Sequence, residues 1–255
     1  MQAGALPASL TPEQHRAAVR GLKAMVPIGG HPFLAHILSD LADAGFRQVC
    51  LVLSPDREEI LRYLRTVPRS RISVESVVQD RPLGTADAVL AGERFAAGDP
   101  VVVVNGDNRY PVSGLAALRQ LPGAGLLGFR LSTLITRGNI PVERITAFAL
   151  LETDTAGHLT RLVEKPSAGQ VAGFGADPLV SMNAWLLPPA IRTACRAISP
   201  SPRGELELAD AVRYAMVRMN QRFPVVESVE GVLDLSTAAD IPEVERRLSD
   251  HEVRL

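Results

Sequence analysis

Short apolar runs alternate with helical stripes along the first half of the chain. The run VVVV at 101–104 is typical of a strand buried on both faces, as in parallel sheets. Apolar runs at 48–53 and 72–78 predict further strands, and apolar residues at helical spacing across 34–41 predict a helix. Strands and helices that alternate over short links indicate an α/β protein with a doubly wound, mostly parallel mixed sheet.

Polar residues ahead of the apolar stripes predict where helices begin. Thr11, with Pro12 at the first helical position and Gln14 at the third, fits a capping box. Asp56 and Glu59 are predicted to cap the helix that follows the strand predicted at 48–53.

The second half of the chain changes character, because strands outnumber helices there. Apolar runs predict strands at 144–151, 159–163, 179–187 and 223–229. Residues 188–218 are predicted to be helical, with a break at Gly204. This half is therefore mixed α+β. No linker composition separates it from the first half, so the sequence predicts one domain in which both halves share a sheet.

Charge and composition exclude several classes of function. Lys and Arg total 27 against 28 Asp and Glu, and aromatic residues make up only 4%, which argues against a nucleic-acid partner. No signal peptide and no apolar run of about 18 residues occurs, so we expect a cytoplasmic protein without a membrane partner. Cys50 and Cys195 lie in apolar surroundings and are predicted to be buried thiols rather than a disulfide. A homo-oligomer is left open.

The strand predicted at 101–104 ends in Asn105, Gly106 and Asp107. Ligands of open α/β sheets bind at the carboxyl ends of strands. A carboxylate on a rigid strand end beside a flexible glycine is well placed to bind a divalent cation that bridges phosphates. The alternative is a turn that only ends a core strand. Asp107 is therefore a candidate ligand of a divalent cation.

The segment LGTA at 83–86 is a candidate ligand-binding loop. Gly84 would let a ligand approach the backbone closely, and a helix predicted from there to about residue 95 would present free N–H groups. Thr85 is predicted to cap that helix. The alternative is a glycine turn with a threonine cap and no ligand.

Three further charged residues are candidates for chemistry. Lys23 lies in a loop between a glycine and a proline. Lys165, in the segment EKP at 164–166, ends a strand and could reach a phosphate from there. Asp234 lies between two leucines and is either a cap for a helix at 236–248 or a second metal ligand. For the two lysines, the alternative is a solvated side chain with no ligand.

Six segments resemble, in order, the motifs of the sugar-1-phosphate nucleotidyltransferases. They are LKAMVPIGGHPFLAHIL, QDRPLGTADAVL, VVVNGDN, RITAFALLETDTAGHLTRLVEKP, SMNAW and GVLDLST, and the resemblance runs from about Lys23 to Leu248. In the first segment Leu22 replaces the family's first proline. The resemblance implies a Rossmann-like nucleotide-diphospho-sugar transferase fold.

The resemblance also implies a reaction, in which an NTP and a sugar 1-phosphate give an NDP-sugar and pyrophosphate. It divides the single domain, 1–255, into a nucleotide-binding half at about 20–130 and a sugar-binding half at about 131–255. The site residues that it implies are Lys23 and Lys165 for phosphates, Asp107 and Asp234 for Mg²⁺, Gln79, Gly84 and Thr85 for the nucleotide, and Glu164, Lys165 and Asn183 for the sugar. Gln79 and the Gly-Asp-Asn run look more like the uridylyl and thymidylyl branches than the guanylyl branch.

The beginning of the chain departs from the family pattern. The family starts with a strand and an arginine-bearing glycine loop around the triphosphate, and nothing between Met1 and Arg20 resembles them. That strand would lie between those predicted at 48–53 and 101–104. We therefore expect either that these two strands pair directly or, as the favoured expectation, that the protein starts upstream of Met1.

Two other functions are left open by the sequence. One is a catalytically inactive regulatory homologue that keeps the sugar-nucleotide pocket. The other is a metal-dependent glycosyltransferase, although that chemistry would want two acids with one residue between them at the strand end, and the 105–107 turn offers only Asp107.

Overall fold

A computed structural model describes Pro7 and residues 9–255 of the chain. The helices of this part are α1 Pro12–Val19, α2 Phe33–Asp43, α3 Glu58–Thr66, α4 Thr85–Ala91, α5 Glu93–Ala96, α6 Val112–Arg119, α7 Leu131–Arg137, α8 Ala168–Ala172, α9 Ile191–Ala197, α10 Leu208–Arg218 and α11 Ile241–Arg247. Short 3-10 helices span Lys23–Met25, Val142–Ala147 and Ala238–Asp240. The strands are β1 Pro27–Ile28, β2 His31–Pro32, β3 Gln48–Leu53, β4 Ser73–Val78, β5 Val101–Val103, β6 Asn108–Arg109, β7 Gly125–Arg130, β8 Ala149–Thr153, β9 Leu159–Val163, β10 Leu179–Leu187, β11 Val225–Ser228 and β12 Leu233–Asp234.

The main sheet is mixed and is built around β10. Its order is β11-β7-β10-β8-β9, and β5 also pairs with β10. The β11–β7 pair is parallel, whereas β10 is antiparallel to β5, β7 and β8. The α/β class and the mixed sheet predicted from the sequence are confirmed.

Alternate residues of the central strands pack on opposite faces of this sheet. On β10, Met182 and Ala184 belong to the apolar cluster that includes α2 and α6, while Trp185 and Leu187 belong to the cluster that includes α9 and α10. This alternation follows from the two-residue period of a strand. Because helices cover both faces, the strand ends are the part of the sheet left for a ligand.

The two strands expected to flank a missing first strand do not pair with each other in the described residues. β3 pairs in parallel with β4 as a separate two-stranded sheet, in register from Gln48 opposite Ser73. β5 pairs only with β10 there, and its residues are half-buried rather than buried on both faces. The prediction that both halves share one sheet is therefore correct for β5 and wrong for β3 and β4.

Several local predictions are confirmed and others need correction. β3 and β10 have the predicted bounds, and Thr11 forms the predicted capping box with Gln14. Helix α3 begins after Arg57 without a side-chain cap, so the predicted caps at Asp56 and Glu59 are wrong. The helix predicted from 84 to 95 is two helices, because Gly92 ends α4.

The thiols and the segment before β8 also differ from expectation. Both cysteines are free, and Cys195 is buried as predicted, but Cys50 is only half-buried. Residues 142–147, part of which was predicted as strand, form a 3-10 helix instead. Arg144 in this helix binds the carboxylate of Asp234.

Candidate active site

Two short strands bring distant parts of the chain together beside the end of β5. β6 pairs antiparallel with β12, which places Asn108 opposite Asp234. The Leu235 backbone N–H donates to the Asp107 carbonyl oxygen at 2.9 Å. The turn that carries Asp107 is thereby held against the segment that carries Asp234.

Lys23 reaches the same turn from the beginning of the chain. Its Nζ donates to Asp107 Oδ2 at 2.7 Å, and the two side chains are 26% and 29% exposed, so solvent or a ligand can reach the pair. In the described residues, Oδ2 is the only carboxylate oxygen of Asp107 that accepts a hydrogen bond. The other oxygen is available to a cation or a donor.

Asp234 has the opposite environment, because it is buried and fully hydrogen-bonded. Its side chain is 2% exposed. Asn108 Nδ2 and Ser236 Oγ donate to Oδ1 at 2.8 and 2.9 Å. Arg144 Nη2 and the Ser236 backbone N–H donate to Oδ2 at 2.5 and 3.2 Å. The 3-10 helix Ala238–Asp240 begins at Thr237 in a capping box with Asp240, and the N-cap residue of α11 is Asp240, so Asp234 caps neither helix.

A buried tyrosine connects this turn to the strand that carries Asn183. Tyr110 Oη donates to the Met182 carbonyl oxygen at 2.5 Å and accepts from the Asn105 backbone N–H at 3.3 Å. Burial raises the pKa of Tyr110 well above its ordinary value, and nearby Asp107 raises it further, so its hydroxyl keeps its proton. The Asp107 turn and β10 are therefore fixed relative to each other.

Asn183 and Lys165, both predicted to bind the sugar, have left-handed backbone conformations. Their φ angles are 61° and 46°. Asn183 lies at a bulge in β10, where the neighbouring strand on one side changes from β8, opposite Ser181, to β5, opposite Trp185. Non-glycine residues in such conformations cluster at functional sites, since the surrounding structure must offset the strain.

The predicted nucleotide loop is held by the segment before α10. Gly84 has φ 108°, and a Cβ there would lie 2.5 Å from the Leu206 carbonyl oxygen. Thr85 Oγ1 accepts from the Leu208 backbone N–H at 2.8 Å, so it caps α10, and the prediction that it caps α4 is wrong. In the described residues, position 84 therefore requires a glycine because the backbone at Leu206 packs against it, and not because a ligand does.

Gln79 binds the same loop, and Glu164 lies near Glu207. Gln79 Nε2 donates to the Gly84 carbonyl oxygen at 3.0 Å and to Asp87 Oδ2 at 2.8 Å. Burial raises the pKa of Glu164. The charge of Lys165 lowers this pKa in part, and the Glu207 carboxylate raises it further. Glu207 directly precedes α10, so the loop and Glu164 both lie near the beginning of that helix.

The structure thus forms two groups of the predicted residues rather than one. The first contains Lys23, Asp107 and Asp234, and the second contains the loop residues and Glu164. Asn183 is adjacent to the Met182 carbonyl that connects to the first group, and Lys165 is exposed at the end of β9. Among the described residues, no three His, Cys, Asp or Glu side chains are grouped closely enough to hold a metal ion by themselves.

Sequence patterns missed three polar residues of the first group, Asn108, Tyr110 and Arg144. Asn108 follows Asp107 directly and could have been found from that adjacency. Arg144 carried no signal, since its partner is 90 positions away.

Residues 18–250 match the family model described as Nucleotidyl transferase. The chain belongs to this family. It is 30% identical to a glucose-1-phosphate thymidylyltransferase of Streptomyces antibioticus over 261 residues, covering 99% of this chain and 67% of that protein. It is 29% identical to a low-salt glycan biosynthesis nucleotidyltransferase of Haloferax volcanii over 194 residues, covering 76% of this chain and 51% of that protein. The chain therefore spans about half of the length of the Haloferax relative.

The fold of this nucleotidyl transferase is similar to that of a UDP-glucose pyrophosphorylase solved with UDP-glucose. The TM-score is 0.71 at 16% identity, covering 90% of this chain and 91% of the other, so the likeness concerns the fold alone. The resemblance noted in the sequence is confirmed by the family match. None of the helices in the described residues has the length and apolar character that crossing a bilayer requires.

Proposed function

We propose that this nucleotidyl transferase joins an NTP to a sugar 1-phosphate and releases pyrophosphate. An oxygen of the sugar phosphate attacks the α-phosphorus of the NTP, and the bond from that phosphorus to the oxygen bridging to the β-phosphate breaks. Positioning and charge neutralisation supply most of the catalysis of such a transfer. The observation that carries the proposal is the accessible Lys23–Asp107 pair at the carboxyl end of a strand in a chain of this family.

The two lysines of the chain take the phosphates in this proposal. The hydrogen bond from Lys23 to Asp107 would weaken, and Lys23 would donate to a phosphate of the NTP. Its Nζ is suited to this role because it already lies near the end of β5. Lys165 would donate to the phosphate of the sugar, and its position just before Pro166 supports a sideways reach. Lysine suits both roles, since its ammonium group is a compact point charge with three donors.

Family members depend on a divalent metal, and we assign Mg²⁺ to Asp107. The carboxylate oxygen that accepts no hydrogen bond in the described residues fits this hard cation, which prefers one or two carboxylates together with substrate phosphates. Bound there, Mg²⁺ would neutralise charge on the α-phosphate and the leaving pyrophosphate. As arranged here, Asp234 has no oxygen left for a metal.

The loop between β4 and α4 would bind the nucleotide. Gln79 uses its Nε2 on the loop, which leaves Oε1 to accept from a base N–H. Uracil, thymine and guanine offer a ring N–H there, whereas cytosine and adenine offer an acceptor, so UTP and dTTP fit better than CTP or ATP. The Gly84 and Thr85 backbone would contact the ribose. Glu164 and Asn183 would hydrogen-bond the hydroxyls of the sugar.

We place this activity in the cytoplasm, since two free thiols, Cys50 and Cys195, suit a reducing compartment. The proposal involves no nucleic acid and no membrane, and it leaves a homo-oligomer open. Family membership favours a nucleotidyl transferase over the glycosyltransferase considered from the sequence.

A pyrophosphate-release assay tests the proposal. Each of UTP, dTTP, GTP, CTP and ATP is combined with a panel of sugar 1-phosphates, with Mg²⁺ present, and pyrophosphate is measured. We expect release with UTP or dTTP that depends on one sugar 1-phosphate. Binding of an NDP-sugar in calorimetry without any release would instead indicate the inactive regulatory homologue.

A further inference from the structure

We propose that the Arg144 guanidinium occupies the position of a divalent cation at Asp234 and keeps such a cation on Asp107 alone. The inference rests on the proposed function, because the cation concerned is the one that nucleotidyl transfer uses. It assigns a positioning role to Arg144, which acts through Asp234 and not on the substrate.

The first argument is that Asp234 has no coordination capacity left. A carboxylate has about four lone-pair positions on its two oxygens. Four donors from Asn108, Arg144 and Ser236 occupy them at 2.5–3.2 Å. The side chain is only 2% exposed, so a cation could bind only by displacing one of these donors.

The second argument is that Arg144 is anchored independently of Asp234. Its Nη1 donates to Asp240 Oδ1 at 3.3 Å, and its guanidinium lies 5.9 Å from the centre of the Phe148 ring. Asp240 is itself fixed, because the Thr237 backbone N–H and hydroxyl both donate to Oδ2 at 2.7 and 3.0 Å. Arg144 is therefore held beside Asp234 and does not meet it by chance.

The backbone around Asp234 is fixed in the same way. The Asp234 backbone N–H donates to Asn139 Oδ1 at 2.7 Å, and Asn139 Nδ2 donates back to the Asp234 carbonyl oxygen at 2.8 Å. This pair and the four contacts of the carboxylate hold Asp234 in its present position. Asp107, in contrast, is 29% exposed and has an oxygen without a hydrogen bond in the described residues.

Charge gives the third argument. The Arg144 guanidinium pairs with both Asp234 and Asp240, and at short range it would repel a divalent cation placed beside the Asp234 carboxylate. An arginine cannot lose its proton to relieve this repulsion. Removing Arg144 should therefore free a carboxylate within the site and create a stronger cation position.

Binding of Mn²⁺ to the nucleotide-free protein, measured by electron paramagnetic resonance, tests this inference. We expect Arg144→Gln to gain a site that binds Mn²⁺ roughly tenfold more tightly than the unmodified protein, since a second charged ligand becomes available. The gain should disappear in the double variant Arg144→Gln, Asp234→Asn. Arg144→Lys, which keeps the positive charge, is the matched control and should show no gain.

Equal Mn²⁺ affinity in Arg144→Gln and the unmodified protein would overturn the inference, as would an equal gain in Arg144→Lys. If Arg144→Gln does not fold, the Mn²⁺ affinity of Asp234→Asn tests the inference by itself. The inference expects its Mn²⁺ affinity to stay within about twofold of the unmodified protein, whereas a loss of about tenfold would show that Asp234 already binds the cation. The assay contains no nucleotide or sugar, so failure of the proposed reaction appears only in pyrophosphate release.

Discussion

Lys23 Nζ and Asp107 Oδ2 lie 2.7 Å apart, although 84 positions separate them in the chain. The contact joins the short 3-10 helix Lys23–Met25 to the turn that follows β5. It pairs one of the two lysines in the sequence with the carboxylate that we assign to Mg²⁺. In the proposed reaction this pair opens when phosphate and cation bind, so each partner has a separate consequence when replaced.

Asp107→Asn should keep the fold but lower pyrophosphate release by at least about two orders of magnitude. The lost charge lies where the transition state needs the cation, and preorganised charges of this kind contribute about 10²–10³ to turnover. Turnover is measured with UTP or dTTP, whichever the protein accepts. Asp99→Asn, at an exposed position, is the control and should be unaffected. Unchanged metal-dependent turnover in Asp107→Asn would remove the residue from the mechanism.

Lys165→Ala should weaken sugar 1-phosphate binding and leave NTP binding nearly unaltered in calorimetric titrations. The reason is that its ammonium group is assigned to the sugar phosphate. Lys165 has a φ of 46°, and alanine is strained in this left-handed conformation. Lys165→Asn therefore serves as the companion variant, because asparagine tolerates the conformation. The reverse pattern, with NTP binding lost and sugar phosphate binding intact, would reassign Lys165 to the nucleotide.

Asn183 allows function and backbone strain to be separated. Its φ of 61° can be adopted by glycine without cost, whereas alanine loses about 1–2 kcal/mol there. Both variants should lose sugar affinity, but thermal unfolding should show Asn183→Ala to be less stable than Asn183→Gly. A glycine variant with undiminished affinity for the sugar 1-phosphate would show that the side chain does not contact the sugar.

Gly84→Ala should destabilise the protein by more than about 1 kcal/mol and weaken nucleotide binding. The φ there is 108°, and a new Cβ would lie 2.5 Å from the Leu206 carbonyl oxygen, so the loop must move. Gly98→Ala is the matched control, since its φ is 98° and a Cβ there would have no neighbour within 4 Å. Equal losses of stability in chemical denaturation would mean that strain, not the Leu206 contact, makes glycine necessary at 84.

Stability should fall in acid because of His36. Burial lowers the pKa of His36 from 6.5 to about 4, and the charges of His251, Arg109 and His31 also lower it. The unfolded chain therefore binds the extra proton at a higher pH than the folded one. The contribution of His36 is fully present above pH 6.5 and is lost as the pH falls towards 4, by about 3 kcal/mol in total.

Free energies of unfolding from urea titrations between pH 7 and 4 measure this loss. His36→Gln should show a smaller fall than the unmodified protein, whereas His15→Gln, at an exposed position, should show the same fall. If His36→Gln is too unstable, nuclear magnetic resonance of the His36 ring gives the pKa directly. A value near 6.5 would contradict the prediction.

The sequence determined the features that depend on neighbouring residues. The periods of the apolar residues predicted β3 and β10 with their observed bounds, and the Thr11 capping box follows from a three-residue spacing. The order of the motifs identified the family, which the match over residues 18–250 confirms. These features could be predicted because strand and helix periods and caps are local properties of the backbone.

The tertiary structure decided what the polar side chains of the site bind. Thr85 was expected to cap its own helix, yet it binds the Leu208 backbone 123 positions away. Asp234 had two possible roles in the sequence, and its contact with Arg144, 90 positions away, occupies one of its oxygens. Such pairings have no local signal, because a side chain's partner is fixed only when packing brings distant segments together and burial makes an unpaired polar group costly.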